Sequence, residues 1–462
     1  MRSPADRQEE ADAAPPAHAE SQSALAPLAN PVFRVLWLVW LAANVSMWMN
    51  DVAAAWLMTS LTTKPIWVAL VASAATLPVF LLGLPSGALA DILDRRRYLL
   101  MTQLWVAVVA GLLCLATAAK LMSPPLLLAL MFANGIGLAM RWPVFSAIIP
   151  ELVPRAQLPA ALALTGVSMN ASRIIGPLTA GAVIAAAGSQ WVFVLNALLC
   201  LGSAVLILRW KRVHVPSPYG REPLLSAMRV GLQFVGQSSR LKAVYVRIGI
   251  FFFHSTALIA LLPLVARDMH GGSAATYTLL LASMGAGAIA AALFLPRLRR
   301  GFSRDGLVLA GAALQAGATA VVGFAPNVYV AVPAMFVGGV AWISTVNSLS
   351  VSAQFALPDW VRARGMSIYQ MAIMGGSALG AAVWGQVATL SSVQSSLGLA
   401  AASGAICMLA ASVLVVDRSI EEDMSPSSLL KAPVAPAPPE GARSWSISNI
   451  ASTRRVPMNS AR

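Results

Sequence analysis

The sequence predicts an all-α membrane protein with twelve transmembrane helices in two six-helix bundles. Three observations predict it. First, apolar stretches of about 20 residues recur, the length a bilayer's hydrocarbon core demands. They run over 36–58, 66–90, 98–119, 125–148, 160–187, 190–208, 243–266, 276–295, 306–324, 327–350, 366–388 and 394–416. Second, the connecting loops alternate in charge. One set carries Arg95, Arg96 and Arg97; Arg155; Arg209, Lys211, Arg212, Arg221, Arg229, Arg240 and Lys242; Arg297, Arg299, Arg300 and Arg304; and Arg362 with Arg364. The other set carries only Lys64, Lys120 and Arg267. Positive charge is retained on the cytoplasmic side during insertion, so a multi-pass cell-membrane protein with both termini cytoplasmic is expected. Third, the halves echo each other: span starts recur at an offset of about 206–210 residues, and Pro150-Glu151-Leu152-Val153 returns as Pro358-Asp359-Trp360-Val361. Such a duplication implies two bundles related by an axis along the membrane normal, with a binding site between them near the midplane.

Composition agrees. The chain is 58% hydrophobic and 11% charged, with a mean hydropathy of +0.73, whereas a soluble domain carries charge on about a quarter of its residues. A net charge of +14 invites a nucleic-acid reading. The basic residues instead sit in short loops beside spans, where they meet anionic lipid headgroups, so lipids and not nucleic acid are the expected partners. Trp37, Trp40, Trp56, Trp67, Trp191 and Trp210 lie near span ends, in the headgroup zone that indole rings favour. Cys114, Cys200 and Cys407 all fall inside spans, so disulfides are not expected.

In chain order, residues 1–32 are rich in Ala, Pro and Glu and form a disordered cytoplasmic tail, with no apolar signal region. Residues 33–208 form the first bundle. The central cytoplasmic loop, 209–242, contains Pro223 followed by Leu224, Leu225, Met228, Leu232 and Val235, a spacing that suits a short interfacial helix. Residues 243–416 form the second bundle. Residues 417–462, with a Pro/Ala run from Lys431 to Pro439, form a second disordered cytoplasmic tail.

Four strings carry a family resemblance. Gly87-Ala-Leu-Ala-Asp91-Ile-Leu-Asp94-Arg95-Arg96-Arg97, between spans two and three, resembles the signature loop of the major facilitator superfamily. It departs from the general pattern at Ile92, where Arg is usual, and at Asp94, where Gly is usual. Pro150-Glu151-Leu152-Val153-Pro154-Arg155, Asn170-Ala-Ser-Arg173-Ile-Ile-Gly176-Pro177 and Val361-Arg362-Ala-Arg364 are similar to the subfamily of enterobactin-exporter and macrolide-efflux-like proteins. The resemblance covers about residues 30–416. It implies a major facilitator fold in which the loop of Gly87, Asp91, Asp94, Arg95, Arg96 and Arg97 acts as a gate. In the outward-facing state that loop would pack on the start of span eleven, where a helix's positive end would stabilise Asp91 by about 0.3–1 kcal/mol. Read from charge alone, Arg95–Arg97 are topogenic and Asp91 balances them. Gly83 and Gly87, spaced as Gly-x-x-x-Gly, suit close helix approach there. In span five, Asn170, Arg173 and Pro177 share one face. Gly176-Pro177 resembles an element of the superfamily's antiporters, and a proline within a span removes a backbone hydrogen bond and kinks the helix.

Ionisable groups deep in spans are few: Asp51, Arg141, Arg173, Arg247 and His254. Each uncompensated charge at mid-bilayer costs about 2.5–3.5 kcal/mol, so such residues face a cavity or a partner. Asp51 is the acid among them, about 12 Å from the outer end of span one. Spans one and five line the cavity in the resembled fold, so Asp51 and Arg173 are candidates for proton coupling, with Asp51 alternating between a proton and a partner charge. A static pair holding two helices is the other reading. Asn44, Asn134, Arg141, His254, Asn347 and Gln370 are candidates for the substrate cavity, each equally able to form a helix–helix hydrogen bond or, for Arg141, to snorkel.

No catalytic site, cofactor or metal centre is expected. Gly231-x4-Gly236-Gln237-Ser238 lacks the lysine of a phosphate loop, and four histidines and three scattered cysteines form no ligand cluster. The expectation is a non-enzymatic secondary transporter, working as a monomer by alternating access. It would couple proton entry to export of a small amphipathic molecule, siderophore-like or drug-like. Export follows from the resemblance alone. A lipid or lysolipid translocator and a transport-inactive sensor or scaffold are the alternatives.

Overall fold

In lipid every backbone N–H and C=O must find a partner within the segment, so apolar stretches of this length become helices. The computed structural model describes residues 23–210, 233–298 and 303–414. Among these residues twelve long helices occur: α1 Pro31–Leu61, α2 Pro65–Ile92, α3 Arg95–Ala118, α4 Pro124–Leu152, α5 Leu158–Ala187, α6 Ser189–Arg209, α7 Ser239–Asp268, α8 Ala274–Leu298, α9 Arg304–Gly323, α10 Val328–Ala356, α11 Asp359–Leu390 and α12 Val393–Leu414. All twelve expected spans are present, each as one helix. Eleven are long and apolar enough to cross a membrane; α5, which carries Asn170, Ser172 and Arg173, is the exception. The expected disorder of residues 1–32 is corrected at their end: residues 23–32 are described and folded, with a 3-10 turn at Ala26–Ala29, Asn30 Nδ2 donating to the Leu152 carbonyl at 2.8 Å, and α1 starting at Pro31. The rest of that tail and the C-terminal tail lie outside the described residues. Of the expected interfacial segment only a helical turn over 233–237 is described.

The ends are set by local chemistry. Pro31, Pro65 and Pro124 open their helices, where a missing N–H costs nothing. Side chains of Asn30, Asp94, Ser238, Ser303 and Asn327 accept from first-turn backbone N–H groups of α1, α3, α7, α9 and α10. Gly188 and Gly271, at φ +94° and +74°, turn the chain between α5 and α6 and between α7 and α8.

The described residues all lie within one compact unit, Met1–Val416. The duplication is visible in its packing. In the first half the broad contacts are α2 with α4, α3 with α6, α1 with α5 and α6, and α3 with α4. Each recurs six helices later: α8 with α10, α9 with α12, α7 with α11 and α12, and α9 with α10. The halves meet through α2 with α11 and, by the same symmetry, α8 with α5; α7 adds contacts to α1 and α2.

These crossings close one end of the molecule. Because helix direction alternates, the loops rich in arginine share one face, here the basic face, and Lys64, Lys120 and Arg267 mark the far face. Near the far face, Arg267 Nη1 donates to the Thr59 carbonyl at 2.5 Å, Ile66 N–H to Thr389 Oγ1 at 2.9 Å, and Trp56 stacks on Tyr277 at 6.2 Å. Nearer the middle, Ser73 Oγ donates to the Ala378 carbonyl at 2.7 Å, Gly375 lies against the Phe80 ring, and Gly285 against Ile174. Towards the basic face no broad contact joins α4 or α5 to α10 or α11 among the described residues. The packing thus leaves the halves apart there, as a cleft between them on the basic face.

Candidate functional site: a cavity open to the basic face

Helix α5 traces the cavity wall. Residues 159, 163, 166, 170, 173 and 177 recur at helical spacing on one stripe. Pro159, Ala163 and Gly166 are exposed, Asn170 and Arg173 are half-buried, and Pro177 is buried. Exposure fading along one stripe marks a cleft that narrows towards the far face. Asn170 turns its Nδ2 onto the Gly166 carbonyl at 2.9 Å. The Arg173 guanidinium lies over the Trp48 ring of α1, 5.6 Å from the centroid. One turn on, Gly176 sits against Trp48 Cβ and the Val45 carbonyl, so α1 and α5 cross here. A larger residue than glycine would separate them. Pro177 is carried within a continuous helix.

Asp51 lies three residues beyond Trp48 on α1, near Tyr277 of α8, just under the far-face closure. It makes no hydrogen bond or ion pair with a described residue. The structure therefore does not pair Asp51 with Arg173 in this conformation. With Gly176 level with Trp48, the two α-carbons differ by about 9 Å in height at 1.5 Å per residue.

Among the remaining cavity candidates, Asn347 on α10 is exposed and Gln370 on α11 half-buried, both on helices of the second half. Four are enclosed within bundles instead, which corrects the expectation that they line the cleft in this state. Asn44 is fully buried, its Nδ2 donating to the Trp40 carbonyl at 2.8 Å. Asn134 is buried on α4. Arg141 is 4% exposed; Nη1 donates to the Ala43 carbonyl at 3.2 Å and the guanidinium lies over Trp40, while Nε and Nη2 find no partner. His254 Nδ1 contacts the Ile250 carbonyl at 2.8 Å, and the ring lines a pocket of about 20 Å³ with Ser255, Gln315 and Thr319, walled by α7, α9 and α12. That is room for about one water molecule, not a solute. The physical reason is common to all four: a helix of this fold has two polar-tolerant faces, and helical period does not say which faces the cleft.

The signature loop makes several bonds within its own half. Asp94 caps α3 by accepting from Arg97 N–H at 2.9 Å. Arg95 Nη1 bonds Glu151 Oε1 at 2.6 Å and the Ala147 carbonyl at 2.7 Å, fastening α3 to α4. Arg96 donates to the Ile207 and Leu208 carbonyls at the end of α6. The Asp91 side chain lies outside the described residues. The close approach expected at Gly83 and Gly87 is not made: among the described residues no atom comes within 4 Å of where a Cβ would stand on either. They occupy the part of α2 beyond the Phe80–Gly375 contact, where the halves have diverged.

Sequence reasoning did not find the Trp56–Tyr277 stack, the Arg267–Thr59 bond, or the buried Asn50–Asn196 amide pair at 3.1 Å. Each joins residues far apart in the chain. Trp48 was within reach, since it lies one turn from both Asn44 and Asp51.

A family model described as transmembrane secretion effector, of major facilitator type, matches residues 22–441. The staphyloferrin A transporter of Staphylococcus aureus is 24% identical over 54% of this chain, and the match spans 63% of that protein. The enterobactin exporter of Citrobacter koseri is 25% identical over 77% of this chain and 85% of that protein. Macrolide efflux protein A of Streptococcus pyogenes is 23% identical over 52% of this chain and 60% of that protein. Among solved structures, a POT family transporter in complex with 5-aminolevulinic acid superposes with a TM-score of 0.70 at 13% identity, covering 84% of this chain and 96% of that one. A bacterial homologue of the human lysosomal transporter Spinster, in an inward-facing occupied conformation, gives 0.65 at 14% identity, covering 84% of this chain and 96% of that one.

Proposed function

The chain belongs to the transmembrane secretion effector family of the major facilitator superfamily, and on that premise we propose that it is a proton-coupled exporter of a small amphipathic molecule, siderophore-like or drug-like. It is a multi-pass membrane transporter and not an enzyme. The basic face is cytoplasmic, following the charge of its loops. The observation that carries the reading is the packing of the halves, which meet through α2–α11 and α5–α8 with ties near the far face and lack broad α4/α5 to α10/α11 contacts towards the basic face among the described residues, together with a carboxylate, Asp51, that no described residue pairs.

In this reading the solute enters from the cytoplasm and rests against α1, α5, α10 and α11. The halves then rock about the α2–α11 and α5–α8 crossings. The far-face ties break, the basic end closes, and Gly83 and Gly87 of α2 gain their close neighbour. Asp51 meets external water and takes a proton, the smallest partner able to neutralise a carboxylate in a low-dielectric interior. Relatives named as exporter and efflux protein support the outward direction.

The test is flux in proteoliposomes with an imposed pH gradient, against a panel of siderophores and macrolides. The wild type accelerates at least one solute when its export side is acid. Asp51→Asn inserts and binds normally but gains nothing from the gradient. Gradient-driven flux surviving intact in that variant sinks the coupling role.

A further inference from the structure

The exported solute carries an acidic group that docks on Arg173: this we infer from the charge balance of the cleft, and it rests on the reading of that cleft as the solute's path. Three observations converge. Arg173 lies part-way up the cleft stripe of α5, half-buried and about 22 Å from the basic end of its helix at 1.5 Å per residue. A guanidinium at that depth is costly without a counter-charge. It has none: neither ion pair nor hydrogen bond joins it to a described residue. The Trp48 ring beneath it fixes its position without neutralising it.

The surroundings leave no internal anion to fill the role. Asp51, the acid in the membrane interior among the described residues, stands about two turns further towards the far face. Arg247 already has its partner in Asp305 at 2.8 Å, and Arg95 in Glu151. Arg141 is sealed inside the first bundle with no acid against it. At its own level in the cleft Arg173 therefore stands as an unbalanced positive charge, a local field that favours an anionic group over a cationic one. The planar fork of Arg173 suits a carboxylate or a comparable acid oxygen pair, and no described residue bonds its N–H groups. A solute with an aromatic or apolar body beside that acid would match the Trp48 face.

The test is binding of a matched trio, naphthylacetate, naphthylacetamide and naphthylmethylamine, to the full chain in nanodiscs by calorimetry, with empty nanodiscs subtracted. The wild type binds the acid at least about ten-fold more tightly than the amide or the amine. Arg173→Gln brings the acid down to the level of the amide, and Arg173→Lys, which keeps charge but not the fork, falls between. Both variants are first checked for monodispersity; if the glutamine variant fails to fold, the lysine variant and Trp48→Phe carry the comparison. Equal binding of the trio, preference for the amine, or no binding by any member overturns the inference. Acid-selective binding without flux in the gradient assay would sink the transporter reading and leave this site standing. Flux of a neutral or cationic solute without acid selectivity would do the reverse.

Discussion

Gly287 and Gly339 show how far single atoms decide this fold. A Cβ on Gly339 would fall on the Met284 carbonyl of α8, and one on Gly287 on the Phe336 carbonyl of α10, so the two helices touch backbone to backbone. Without a hydrophobic drive between helices in lipid, such close contact supplies the association energy. Gly339→Ala should destabilise the purified protein by about 1–3 kcal/mol, because the backbone cannot yield as a flexible side chain would. Gly111→Ala, on α3 where nothing lies within 4 Å, should be neutral or slightly stabilising. Thermal unfolding of both variants checks the pair; equal midpoints would refute the close-packing account. At this scale the sequence disclosed which residues are chemically unusual, Asp51, Arg141 and Arg173 among them. It did not disclose their neighbours. Arg141 and Arg173 are both lone intramembrane arginines, yet one is sealed against Ala43 and Trp40 while the other borders the cleft.

At the scale of elements, α5 and α7 are the instructive helices. The twelve spans were legible because lipid enforces length and apolarity together. Their ends were less so: α11 begins at Asp359, not near 366, because its first turns are charged and lie at the basic face. Among the described long helices α5 alone lacks a stretch apolar enough to count as a span, and Asn170 and Arg173, which interrupt it, lie on the stripe that forms the wall. Helix α7 reaches across to the first half and carries in its last turn Arg267, whose guanidinium holds the Thr59 carbonyl in the last turn of α1. A cation there also meets the negative end of the α1 dipole. Opening the far face must break this bond, worth about 1.5–3 kcal/mol as a charged hydrogen bond. Arg267→Ala should therefore raise the far-face-open population by about ten-fold or more. The measurement is the labelling rate of Ser73→Cys by an impermeant thiol reagent, in a background lacking Cys114, Cys200 and Cys407. An unchanged rate would show that Arg267 holds nothing shut.

The whole molecule repeats itself: every broad contact of the first half has its counterpart six helices later, and the two crossings between halves exchange under the same operation. The sequence announced this through the offset of its spans and the echo of Pro150-Glu151 in Pro358-Asp359. It could not announce the conformation, because a chain that alternates between two states encodes both. Orientation is a separate matter of charge. Cysteines placed beside Arg96 and Arg155 should label only from the cytoplasm, and one at Lys120 only from outside; labelling of Arg96 and Lys120 positions from one side would overturn the topology.

The central claim is that the halves move against each other about the α2–α11 crossing, and one cross-link tests it. Ile66 N–H and Thr389 Oγ1 lie 2.9 Å apart where α2 begins and α11 ends. Cysteines at these two positions, oxidised in proteoliposomes, should stop solute flux while leaving solute binding from the basic face intact, and reduction should restore flux. Undiminished flux with the disulfide fully formed would contradict the account.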